Sequence, residues 1–126
     1  MQRKITGIVV HGKKLGSKLG FPTANLALED TDQHPDGVYA VRVTAEGKTY
    51  GGVANIGTRP TVTADKKRFL EAYLFDFTGN LYGKTIAVEL LACLRPELKF
   101  ASVEALRKQI ETDKTEAERF LKNLDK

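Results

Sequence analysis

Three short stretches hold residue types able to do chemistry. In RFLEAYLFDF (68–77) a single carboxylate, Glu71, stands in a strand-like run. Alternation puts it on one face with Phe69, Tyr73, Phe75 and Phe77, and puts Leu70, Ala72, Leu74 and Asp76 on the other. Apolar rings strip water from a carboxylate, and a poorly hydrated carboxylate within reach of an alcohol can act as a general base. The same face would suit a flat aromatic ligand, although an outward glutamate on a half-exposed strand fits the pattern as well. In FPTAN (21–25), Pro22 fixes its own φ and biases Phe21 toward an extended shape, so Thr23 and Asn25 project to one face and Ala24 to the other. Two neutral oxygens side by side match a phosphate-bound Mg²⁺, which takes few protein ligands and leaves its charge to be met by the phosphates. An ordinary capped turn uses the same residues.

The third stretch, HGKKLGSKLG (11–20), combines Gly12, Gly16 and Gly20 with Lys13, Lys14 and Lys18. Its spacing does not match G-x-x-x-x-G-K-[ST], and no helical period follows, so it is no Walker loop. Glycines can still turn backbone N–H groups toward an anion, and the lysines supply charge. A solvated basic hairpin would look alike. Arg95 ends an apolar run just before Pro96, where it can reach a ligand or cap a barrel. The two histidines, His11 and His34, lack metal-ligand spacing, and no Ser-His-Asp or Cys-His arrangement is present. Cys93, the one cysteine, is expected to be a small buried side chain.

These residues need a scaffold. A chain of 126 residues closes one core, so residues 1–126 are read as a single domain. The 20 basic against 16 acidic residues give a modest excess that suits a phosphorylated ligand without requiring nucleic acid. No apolar run approaches the roughly 18 residues of a membrane span, and MQRKITG lacks a secretory signal's apolar run, so a cytoplasmic, membrane-free protein is expected.

Strands are predicted over 4–11, 37–43, 48–57, 68–77 and 85–95, with a short sixth over 23–28. AEGK (45–48) reads as a hairpin turn, and Gly51–Gly52 as a bulge, a bend or a close approach. One helical period runs through Val103, Leu106, Ile110, Ala117, Phe120 and Leu124, interrupted by Asp113 in the seam. Ser102 suits its N-cap, and Thr115 with Glu118 suits a second capping box, so one helix or two, divided near 112–114, is expected. The fold class expected is mainly β: a small antiparallel barrel followed by C-terminal helix.

In order, HGKKLGSKLGFPTANL, DGVYAV, GGVANIGTRPT, LEAYLFDF, LYGKTIAVELLACLRPELKF and SVEALRKQIETD resemble the riboflavin kinase module, from about Gly7 to Asp113. The resemblance implies a six-stranded antiparallel Greek-key barrel with a C-terminal α-helix, transferring the ATP γ-phosphoryl group to the ribityl 5′-hydroxyl of riboflavin to give FMN. By the same resemblance Thr23 and Asn25 serve Mg²⁺ and the nucleotide, Glu71 is the catalytic base, Gly12 and Lys18 contact ATP, and Arg95 lies at the flavin site. Its implied partners are riboflavin and ATP, with no nucleic acid and a monomeric state.

This chain departs from the family pattern in three places. Gly16-Ser17 stands where many members carry Gly-Arg, so the loop's cation falls to Lys18 or Lys14. Tyr73 replaces a frequent histidine, and no nucleotidyltransferase half accompanies the module, so FAD synthesis is not expected. Two other readings stay open: a non-catalytic flavin-binding module of the same fold, disfavoured by the retained Thr23, Asn25 and Glu71, and a basic nucleic-acid-binding barrel, disfavoured by the lack of a basic stripe.

Overall fold

Alternation of β-branched and small residues builds the body of the protein. The computed structural model describes residues 3–10, 23–60, 66–98 and 100–124. It contains β1 (Lys4–Ile8), β2 (Thr23–Ala27), β3 (Gly37–Ala45), β4 (Lys48–Pro60), β5 (Lys66–Leu74), β6 (Thr85–Arg95) and α1 (Val103–Leu124). All strand pairs are antiparallel, in the order β1-β6-β3-β4-β5-β2. A bridge between Val10 and Asn25, with Val10 N–H donating to Asn25 O at 2.8 Å, brings the two ends of the sheet together. Strands β3 to β5 form a meander and β6 returns beside β3, which is the Greek-key order.

Every second residue points into the barrel. Leu26, Val41, Val43, Ala54, Ile56, Leu70, Ala72, Ile86 and Val88 fill its interior and are almost fully buried. Each large aliphatic side chain among them contributes roughly 1.5–3 kcal/mol of burial. The opposite set of residues is therefore committed to the outer face. There Ala40 and Phe75 pack against Ala117 of α1, with Val53, Tyr73, Leu94, Phe120 and Leu121 around them.

Gly51 permits this approach, because a Cβ there would lie 2.6 Å from Leu121 Cδ1. The β3–β4 register runs unbroken past Gly51 and Gly52, so the pair marks close approach and not a bulge. At the hairpin, Glu46 and Gly47 have φ of 51° and 80°, the sign pattern that type I′ turns require.

Two expectations are corrected and one alternative is decided. The irregularities lie instead between β3 and β6, at Val38/Tyr39 and Ala40/Val41. They end the in–out alternation of β6 after Leu90, and Cys93 is consequently exposed. Helix α1 runs unbroken for 22 residues. Ser102 caps it as expected, its Oγ accepting from Ala105 N–H at 3.1 Å, but Thr112 and Thr115 donate back to Lys108 O and Glu111 O and continue the helix. Finally, β5 ends at Leu74, and Asp76 has a left-handed φ of 58°. That turn sends Phe77 to the interior cluster, edge-on to Tyr50, away from the face of Glu71.

The loop between β2 and β3 is held by a polar network. Arg68 of β5 donates to Asp36 Oδ1 at 2.9 and 3.0 Å, to the Asp32 and His34 carbonyls, and more weakly to Asp32 Oδ1. His34 N–H donates to Asp32 Oδ1 at 2.9 Å, and its Nδ1 lies 3.0 Å from Oδ2. Desolvation pushes the Asp32 carboxyl up, but the His34 hydrogen bonds and the His34 and Arg68 charges together hold it below its ordinary value of 3.8. The folded-state value lies below the unfolded one, so this contribution is complete above about pH 4 and is lost as pH falls through the folded-state value. Asp32→Asn is expected to flatten the acid limb of a urea-midpoint profile between about pH 2 and 6, and to destabilise the chain at neutral pH by roughly 1–3 kcal/mol. An acid limb as steep as the parent's would show that Asp32 is not responsible.

Candidate active site

The outer face carries the polar residues that the interior cannot take. On β2, Thr23 and Asn25 point outward from either side of buried Ala24. Strand β5 runs antiparallel beside it, with Thr23 opposite Tyr73 and Asn25 opposite Glu71. On the other side of β5, Glu71 is opposite Asn55 of β4 and Tyr73 opposite Val53. Residues directly opposite share a face, with Cβ atoms about 4.5–5.5 Å apart. The result is a row across three strands, Asn25, Glu71 and Asn55, with Thr23 in the adjoining row.

Thr23 Oγ1 donates to Glu71 Oε2 at 3.3 Å, which orients the carboxylate. Asn25 is only 7% exposed, so its carboxamide is held in place and not free in solvent. Strict strand alternation surrounds Glu71 with four aromatics. Its cross-strand neighbours are instead two carboxamides, with Phe69 and Tyr73 above and below it along β5.

Asn55 escaped the sequence reading, which attended to the glycine pair earlier in the same strand. The signal was present: an amide in GGVANIG stands where a strand covered on both sides would normally carry an apolar residue. Its Oδ1 is closed to solvent and has no hydrogen-bond partner among the described residues. A buried carbonyl left in that state costs roughly 1–3 kcal/mol. Two residues along β4, the Glu97 carboxylate lies over Gly57, so close that a Cβ at 57 would collide with it.

Arg95 lies farther round the same face. It is opposite Val38 of β3, which is opposite Asn55, so three strand spacings, about 14 Å along the sheet, separate it from Glu71. Its guanidinium is engaged by Asp113 of α1: Nε donates to Oδ1 at 2.8 Å and Nη2 to Oδ2 at 2.7 Å. Nη1 donates to Pro96 O at 3.1 Å, and the group lies 5.8 Å from the centre of the Phe100 ring. Gln109 adds a third donor to Asp113. The aspartate that interrupted the apolar seam is thus the partner of the arginine that ended the strand. Thr23, Asn25 and Glu71 come together on the outer face, Arg95 is held by the helix, and Gly12 and Lys18 lie outside the described residues.

The whole sequence discriminates more sharply than any one motif. Residues 1–121 match the family model described as "Flavokinase: Riboflavin kinase". The chain belongs to the riboflavin kinase family. A bifunctional riboflavin kinase/FMN adenylyltransferase of Bacillus subtilis (strain 168) is 44% identical over 125 residues, covering 97% of this chain and 40% of that protein. The same organism's RNA-binding riboflavin kinase RibR is 46% identical over 111 residues, covering 86% of this chain and 47% of RibR. This riboflavin kinase family member therefore spans less than half the length of these curated relatives. Among solved structures, a riboflavin kinase from Trypanosoma brucei matches at a TM-score of 0.64 and 25% identity, over 94% of this chain and 79% of that one. Among the described residues, no helix is long and apolar enough to cross a membrane.

Proposed function

We propose that this chain is a riboflavin kinase, transferring the γ-phosphoryl group of ATP to the 5′-hydroxyl of riboflavin and releasing FMN and ADP. Family membership supports the substrates, and the observation that carries the catalytic assignment is the carboxylate of Glu71, oriented by Thr23 and flanked by Asn25. Phosphoryl transfer asks little covalent work of a protein; it asks for positioning and for charge to be met where it develops. Glu71 accepts the proton of the attacking hydroxyl as the oxygen–phosphorus bond forms and the bond to the ADP oxygen breaks. Gly12 and Lys18, in the basic loop, serve the ATP phosphates in this reading.

The donor set on the outer face fits a hydrated Mg²⁺. Thr23 Oγ1 donates a hydrogen bond to Glu71 and keeps its lone pairs, and Asn25 adds a second neutral oxygen on the same face. These two residues would hold the ion alongside phosphate oxygens. When bound, it neutralises charge on the transferring group. Arg95 acts on the flavin side as a positioning residue, through its hold on Asp113 and the segment leading into α1.

The test is riboflavin-dependent ADP release by the purified chain. ADP is expected only when riboflavin, ATP and Mg²⁺ are all present, and chelation of the metal is expected to stop it. ADP release indifferent to riboflavin would defeat the proposal.

A further inference from the structure

Asn55 is the polar member of the site row that the reaction leaves unused. It is opposite Glu71 on β4 as Asn25 is on β2, so its side chain shares the outer face with the proposed base. Its Oδ1 is buried and lacks a hydrogen-bond donor among the described residues. The Glu71 carboxylate serves as an acceptor, and the Thr23 hydroxyl is already engaged in donating to its Oε2. Val38, opposite on β3, has no polar side chain, and neither do Val53 and Gly57, which flank Asn55 along β4.

A protein rarely leaves such an acceptor unmet, so a donor brought by a ligand is the natural completion. The donor must lie beside the group that meets Glu71, about one cross-strand spacing away. A polyol has that form: a terminal hydroxyl followed by secondary hydroxyls on the neighbouring carbons. Resting on the riboflavin kinase reading, we propose that Asn55 Oδ1 accepts a hydrogen bond from a secondary hydroxyl of the ribityl chain while the terminal hydroxyl meets Glu71. Asn55 thereby sets specificity for a polyol tail over a plain alkyl alcohol. A buried acceptor built to meet a hydroxyl discriminates against a ligand that lacks it, because it is then left unpaired.

The experiment compares two substrates and three proteins. Riboflavin is set against the flavin bearing a 5-hydroxypentyl tail, which keeps the ring and the reacting hydroxyl and lacks the secondary ones. The parent chain is expected to favour riboflavin in kcat/KM. Asn55→Leu and Asn55→Ala are each expected to lower kcat/KM for riboflavin by about tenfold, the size of one hydrogen bond between neutral groups, and to leave the hydroxypentyl flavin nearly unaffected. Asn55→Leu is also expected to melt no lower than the parent, since an apolar group replaces a buried unmet acceptor. Equal losses on both substrates, or no loss on either, would overturn the inference and leave the kinase reading standing. Failure of the parent to phosphorylate either flavin would remove the reading itself, and the inference with it.

Discussion

Glu71→Gln is expected to fold and melt as the parent does and to lower kcat for riboflavin by about 10²–10⁴-fold, the range over which a positioned general base acts. The substitution keeps the shape of the side chain, its place opposite Asn25 and Asn55, and an oxygen able to accept from Thr23 Oγ1. It removes the negative charge and with it the capacity to take a proton. Binding of ATP should change little, because the nucleotide is assigned to Thr23, Asn25 and the basic loop. Steady-state kinetics with a parallel thermal melt check both halves. FMN formation at the parental rate would show that the proton goes elsewhere, and a collapsed melt would show that the carboxylate is structural.

The second large effect is on stability. Arg95 and Asp113 form a two-pronged pair whose side chains are only 17% and 6% exposed. Removing one partner leaves a mostly buried charge unmet, at a cost of about 3–5 kcal/mol, a large part of the 5–15 kcal/mol that holds an ordinary domain folded. Arg95→Met and Asp113→Leu should each pay this in urea unfolding. Changing both should recover most of the loss, because replacing a buried pair with apolar groups is often nearly neutral. Arg95→Lys should fall between, since an ammonium cannot reproduce the planar double contact. Losses below about 1 kcal/mol, or losses that simply add in the double variant, would mean that the pair does not tie β6 to α1.

Much of this architecture was legible in residue spacing. All six strands were expected near their observed places, because interior positions such as Val41, Val43, Leu70 and Ala72 alternate with outward ones and the hairpin turn carries its glycine. Thr23, Asn25 and Glu71 were placed on the right strands, and extended geometry alone put the first two on one face. Their meeting was not legible, because it depends on β2 pairing with β5 across 48 residues of sequence.

Where the reading failed, a local irregularity was responsible. The β3–β6 register shifts exposed Cys93, and the left-handed turn at Asp76 drew Phe77 inside. Asp113 was seen as a flaw in the apolar seam because its partner lies 18 residues away on a different element. Asn55 looked ordinary for a similar reason: burial of its Oδ1 depends on neighbours that no single stretch of sequence reveals.

The most direct measurement follows the phosphorus. With the γ-phosphoryl group of ATP isotopically labelled and riboflavin present, the purified chain should place the label in the 5′-phosphoester of FMN, one label per ADP released, and Glu71→Gln should nearly abolish that transfer. Label recovered as inorganic phosphate with riboflavin unchanged, or transferred equally well without the Glu71 carboxylate, would contradict the account.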